Sequence, residues 1–335
     1  MSRPAQQGLG GAPGVRDYSG SLMVMLTHRC SLRCSYCGVV RDDRTMTWPV
    51  LRKALDLLLT STSPNLQLRY FGGEPLLCFG LIRKAVEAAE ASGRKVHHMI
   101  TTNGLGLDAA KLSWLSGRDA EVLFSLDGGP ATHLRWRPSP SGRDVHSKLV
   151  ANIKALQRSG VSYFVNLIVH PGEARTWGED LDFVLGVGVR RLQIGYAAGT
   201  GWDLRDRGAF LSFMESAARL CAGSGIELLN LKSGAEPVML SEEVIAETDG
   251  RLYLDPAVFM ERFFPGLKAA MLLGRLGEVR SLAEVRRTRA EVLRLFTGRC
   301  PASTPEGKLL ADNLRIGLET GRLMGRLRRS PSAAA

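Results

Sequence analysis

Between residues 21 and 196 the chain alternates short apolar runs with amphipathic stretches, and that alternation limits the fold more than any other feature of its 335 residues. The apolar runs are 21–27, 66–71, 96–101, 122–125, 163–169 and 191–196, and helical stretches at 48–60, 81–91, 146–159 and 177–185 fall between them. Strands alternating with helices imply a parallel sheet with right-handed crossovers. About six such units predict an α/β fold, a partial (β/α)6 TIM-like barrel. Beyond residue 205 the pattern changes to a helix at 209–222, short extended pieces and long Arg- and Leu-rich helical stretches. A smaller, mostly helical C-terminal extension is expected there, with a hairpin at 248–254 turning on Asp249-Gly250. The expected organisation is a flexible N-terminus at 1–20, the barrel at 21–205, the extension at 206–329 and a tail at 330–335.

Composition restricts the class further. Hydrophobic residues make up 44% and charged residues 23%, which suits a globular chain able to bury a large core. No apolar run reaches the roughly 18 residues of a membrane span, and the N-terminus has no apolar signal-peptide core. The net charge of +11 is concentrated late, in Arg286-Arg287-Thr288-Arg289 and Arg326-Leu327-Arg328-Arg329, and reads as solvated helix faces. No nucleic-acid-binding motif accompanies it, so nucleic acid is not an expected partner. Of six cysteines three are clustered, an inventory that points to ligation in a reducing cytoplasm rather than to disulfides.

The cluster is Cys30-Ser31-Leu32-Arg33-Cys34-Ser35-Tyr36-Cys37, directly after the first apolar run. The loop therefore leaves the C-terminal end of a strand, where barrels carry their chemistry. Three thiolates can hold three corners of a 4Fe-4S cube and leave the fourth iron open. The competing reading is a zinc knuckle, but structural zinc wants four ligands. Cys78, Cys221 and Cys300 are scattered singly, and His28 lies too near Cys30 to reach the same metal easily.

A second element follows the second strand: Tyr70-Phe71-Gly72-Gly73-Glu74-Pro75. Two glycines allow close backbone approach to a ligand, and Glu74 or nearby carbonyls can accept bonds from an ammonium group. Thr102-Asn103-Gly104 and Ser125-Leu126-Asp127-Gly128 also fall at strand ends, and Arg137 follows within His133-Leu134-Arg135-Trp136-Arg137.

Cys30-x3-Cys34-x2-Cys37 with Tyr36 before the last cysteine resembles the signature of radical S-adenosylmethionine (SAM) enzymes, and Gly72-Gly73-Glu74-Pro75 resembles their SAM-amine motif. The resemblance implies that the methionine amine and carboxylate chelate the open iron. An electron from the reduced cluster then cleaves the sulfonium to a 5'-deoxyadenosyl radical. It also implies cofactor contacts at Tyr36, Gly72, Gly73, Glu74, Pro75, Asn103, Ser125 and Asp127, and an Arg137 paired with the SAM carboxylate. The layout is most similar to the peptide-modifying branch, whose members often end in a SPASM or twitch domain with auxiliary clusters. Here the extension lacks those cysteines, with Leu254 and Asp255 near where a ligand is expected, so one 4Fe-4S cluster is predicted. Phe71 stands where some sulfatase-maturing relatives have glutamine.

The resemblance implies hydrogen abstraction from a peptide, maturing a ribosomally made peptide by cross-linking or epimerisation. An external electron donor of flavodoxin or ferredoxin type would reduce the cluster. Epimerisation needs a hydrogen donor, for which Cys300 in Gly298-Arg299-Cys300-Pro301 is the candidate, against the plainer reading of a buried thiol. Alternative readings are a small-molecule or RNA-base substrate, and a noncatalytic iron-sulfur or zinc protein.

Overall fold

The computed structural model describes residues 18–232 and 237–329. The expected N-terminus and tail lie largely outside them. One sheet organises the molecule, in the order β10-β9-β8-β1-β2-β3-β4-β5-β6-β7. Its centre is β1 (Ser21–Met25), β2 (Leu66–Phe71), β3 (Val96–Thr102), β4 (Ala120–Ser125), β5 (Ser162–Val169) and β6 (Arg191–Tyr196), each parallel to the next. β1 and β4 are buried at every position, as strands covered on both faces must be.

The crossover helices are α1 (Trp48–Leu59), α2 (Phe79–Ala91), α3 (Ala109–Leu115), α4 (Pro130–Trp136), α5 (His146–Ser159) and α6 (Trp177–Gly186). Their apolar sides meet the sheet through residues such as Leu51, Leu55, Ile82, Val86, Leu149 and Ile153. α3 and α4 are too brief for a periodic signal. Asp108 caps α3 by accepting from Lys111 N, and Pro130 opens α4. α7 (Leu204–Gly223) starts five residues earlier than its apolar pattern suggests because Asp203 caps it.

The C-terminal region is helical, with α8 (Asp255–Phe259) and longer helices at Arg289–Arg299 and Pro305–Arg329. It also extends the sheet at both edges, so residue 205 marks no break in hydrogen bonding. β7 (Glu227–Leu228) joins β6, and β8 (Val244–Ala246) runs parallel to β1. β9 (Arg251–Leu254) turns back on β8 through Gly250, whose φ of 82° is the left-handed geometry this tight turn needs. β10 (Leu272–Arg275) completes the edge antiparallel to β9. No helix among the described residues is long and apolar enough to cross a membrane.

Candidate active site

The loop after β1 carries Cys30, Cys34 and Cys37, all free thiols of intermediate exposure. It is joined to the loop after β2 by backbone hydrogen bonds: Gly73 N donates to Thr27 O and Glu74 N to Arg29 O, both at 2.8 Å. A Cβ on Gly72 would stand 2.4 Å from the Thr27 carbonyl oxygen, and one on Gly73 only 2.2 Å from that of Arg29. The glycines are therefore required by the approach of two loops, where the sequence suggested the approach of a ligand. Gly73→Ala is predicted to cost about 1–3 kcal/mol of stability by overpacking. Denaturant midpoint and iron retention should fall together, and an unchanged midpoint with full retention would refute the loop-to-loop role.

Glu74 joins the same two loops to a third. It is 1% exposed, and its carboxylate accepts from Thr102 Oγ1 at 2.7 Å, Asn103 N at 2.8 Å and Leu76 N at 3.1 Å. Burial raises its pKa, opposed by the bonds from Thr102, Asn103 and Leu76. With its oxygens so occupied, the side chain ties the β2 loop to the β3 loop. Pro75 is buried at the start of the short Pro75–Cys78 turn. Asn103 continues the chain of contacts: Nδ2 reaches Ser31 Oγ at 3.0 Å and Cys30 Sγ at 3.8 Å.

On the opposite side of the loop, Arg137 caps α4 and binds Asp127 through two parallel bonds. Nε donates to Oδ2 at 2.5 Å and Nη2 to Oδ1 at 3.0 Å. Tyr36 donates its hydroxyl to Asp127 Oδ2 at 2.6 Å, and Ile168 N donates to Oδ1 at 3.0 Å. Burial pushes the Asp127 carboxyl up, but the Arg137 charge and the bonds from Arg137 and Tyr36 outweigh it and hold the pKa low. Arg137 is 7% exposed, and its guanidinium holds Asp127. Its remaining nitrogen lies 3.9 Å from Cys34 Sγ. Arg33 N and Ser35 N also donate to Pro138 O and Trp136 O, tying the cysteine loop to the end of α4. Ser125 ends β4, largely buried and in register with Asn166.

His170, just past β5, escaped the sequence reading. It stacks on Trp136 with ring centroids 3.8 Å apart and planes 2° from parallel, and meets Tyr36 edge-on at 4.7 Å. Neither ring nitrogen has a hydrogen-bond partner among the described residues, and burial lowers its pKa to about 4, which keeps it neutral. Its only sequence signal was its place, one residue after a strand. His28 is excluded as a zinc ligand because both nitrogens are engaged, with Val40 O at 2.7 Å and Glu247 Oε1 at 2.8 Å. Cys300 is 4% exposed at the end of helix Arg289–Arg299, in an apolar cluster with Val292 and Phe296. Burial raises its thiol pKa, and the apolar cluster that holds it also packs against Cys37 and Phe71.

Among the described residues no three His, Cys, Asp or Glu side chains converge as one metal ion requires. The three thiols are nevertheless near enough to feel one another's charge. Spaced thiols of this kind fit a cube, which takes one thiolate at each of three irons. Cys30, Cys34 and Cys37 would hold it, with donors from Leu32 N, Asn103 and Arg137 already facing the first two sulfurs.

A parallel sheet with this loop at a strand end is a scaffold on which three thiols could hold an iron-sulfur cluster. Residues 24–184 match the Radical SAM superfamily, and the chain carries a radical SAM domain there. The PqqA peptide cyclase of Streptomyces rochei is 30% identical over 220 residues, covering 63% of this chain and 56% of its own length. The GTP 3',8-cyclase of Corynebacterium glutamicum (strain R) is 32% identical over 161 residues, 45% of this chain and 42% of its own length. The chain spans about half the length of these curated relatives. Native anSMEcpe with bound AdoMet and Kp18Cys peptide shares the fold, with a TM-score of 0.70 over 91% of this chain and 98% of that one at 17% identity.

Proposed function

We propose that this chain is a radical SAM enzyme acting on a peptide, and that it matures a ribosomally synthesised peptide by cross-linking. The observation that carries the reading is the three-thiol loop at the barrel mouth, braced by Gly72-Gly73-Glu74 on one side and Tyr36-Asp127-Arg137 on the other. A single 4Fe-4S cluster on Cys30, Cys34 and Cys37, when reduced, would supply the electron that cleaves SAM to the hydrogen-abstracting 5'-deoxyadenosyl radical. The residues around it have separate tasks. Glu74 and Asn103 fix the entry of the loop, and Arg137 holds Asp127 and Tyr36 while facing Cys34. Trp136 and His170 form an aromatic wall behind Tyr36.

Peptide modification is supported by the similarity to PqqA peptide cyclases. Cross-linking is preferred over epimerisation because Cys300, the candidate hydrogen donor, is buried. An acidic flavodoxin or ferredoxin would serve as electron donor, in a reducing cytoplasm. The similarity to GTP 3',8-cyclases supports a second reading, a small-molecule substrate.

Anaerobic reconstitution tests the cluster: about four irons per chain are expected, and about eight would sink the single-cluster reading. Incubation with SAM and dithionite should release 5'-deoxyadenosine, and none from a fully loaded protein would favour a noncatalytic role. A short peptide encoded beside the gene should lose mass by two hydrogens on cross-linking, one taken by the 5'-deoxyadenosyl radical and the other leaving as a proton, its electron passing to an oxidised flavodoxin or ferredoxin. Consumption of GTP with that peptide untouched would favour the second reading.

A further inference from the structure

The C-terminal region reaches the cysteine loop at both ends, although it carries no cysteine set of its own. Before the first cysteine, His28 is 1% exposed and Nε2 lies 2.8 Å from Oε1 of Glu247, the residue that follows β8. Glu247 is equally buried, and Lys268 Nζ occupies its second oxygen at 2.6 Å. Thr248 N donates to Oε1 at 2.8 Å, so the carboxylate is fixed from three directions. The His28 ring is fixed as well, since its other nitrogen meets Val40 O.

Past the last cysteine the contact is through backbone. A Cβ on Gly38 would stand 1.8 Å from the Phe259 carbonyl oxygen, so only glycine lets the loop lie against the end of α8. Arg262 N donates to Gly38 O at 3.1 Å, and its Nη1 to Ser35 O and Cys37 O, both at 3.3 Å. Phe259 also packs on Phe71, ring centroids 4.3 Å apart, beside the Gly72-Gly73 turn.

We propose that this region is a positioning clamp for the cysteine loop, with Glu247 fixing its entry at His28 and Arg262 with α8 fixing its exit at Cys37-Gly38. The clamp sets the spacing of the thiols, so the extension serves the cluster without ligating one. Groups outside the ligand shell commonly govern metal retention because they orient the ligands. The proposal rests on the reading that Cys30, Cys34 and Cys37 hold a cluster.

Arg262 gives the cleanest test. Its side chain is exposed and bonds to loop carbonyls, so its removal leaves the apolar core intact. In reconstituted full-length protein, Arg262→Ala should lose iron to a chelator about 10-fold faster than wild type. The melting temperature of the apo protein should not change, and the electron paramagnetic resonance line shape of the reduced cluster should. Arg262→Lys should restore part of the retention. Glu247→Gln, which keeps the shape but weakens the grip on His28 and Lys268, should act in the same direction. Wild-type retention in both variants overturns the clamp, as does an iron loss that merely follows a fall in apo melting temperature. If wild-type protein itself takes up no cluster, the underlying reading fails, and the clamp with it.

Discussion

Cys34→Ala should take the reconstituted protein from about four irons per chain to near none, and 5'-deoxyadenosine release to background. A cube held at three corners loses a third of its protein ligands with that sulfur. The fold should survive. Cys34 sits on a loop, and its sulfur accepts from Arg137 Nη1 at 3.9 Å, while the loop's path is held by backbone bonds from Arg33, Ser35, Gly73 and Glu74. Circular dichroism and the apo melting temperature should therefore match wild type. Cys78→Ala is the control, because that half-buried thiol lies in the Pro75–Cys78 turn outside the loop and its loss should leave four irons in place. A Cys34→Ala protein that keeps both iron and SAM cleavage would remove the loop from the chemistry altogether.

The barrel was legible because its strands are unusually plain. β2, β6 and α5 fall where the apolar pattern places them, and Gly160, left-handed at φ 72°, stops α5 sharply. Partners were harder to read than residues. Gly72, Gly73, Glu74 and Arg137 show as motifs in the sequence, but the protein groups each one meets do not. A guanidinium shows in the sequence, but which carboxylate it meets depends on α4 folding Arg137 back onto Asp127, ten residues upstream. The Asp249-Gly250 turn was visible for the same local reason that β8's pairing with β1 was not. A parallel partner more than 200 residues away leaves no local trace, and the polar pairs it brings, His28 with Glu247 and Arg69 with Glu243, come with it.

Arg137→Met should destabilise the protein by about 3–5 kcal/mol at neutral pH, because it strands the Asp127 carboxylate in the interior. Asp127 would keep only the Tyr36 hydroxyl and the Ile168 amide, with no charge to offset burial. The pH dependence carries the sign. In wild type the folded Asp127 pKa lies below its ordinary value, so the pair's contribution is complete above about pH 4 and is lost as pH falls through the folded value. In the variant, burial without the guanidinium should raise that pKa above the unfolded one, so protonation at low pH relieves the defect. The stability gap between the two proteins should therefore be widest near neutrality and close on acidification. Asp127→Leu combined with Arg137→Met should recover most of the loss, since an apolar pair of similar size removes the stranded charge. Iron retention should not recover with it. Tyr36 would still lack its acceptor and Cys34 its facing guanidinium, so the double variant separates what the pair does for the fold from what it does for the cysteine loop. A single variant that loses less than about 1 kcal/mol would place Asp127 and Arg137 among the weakly coupled ion pairs seen on surfaces, and the bracing of Tyr36 would need another source.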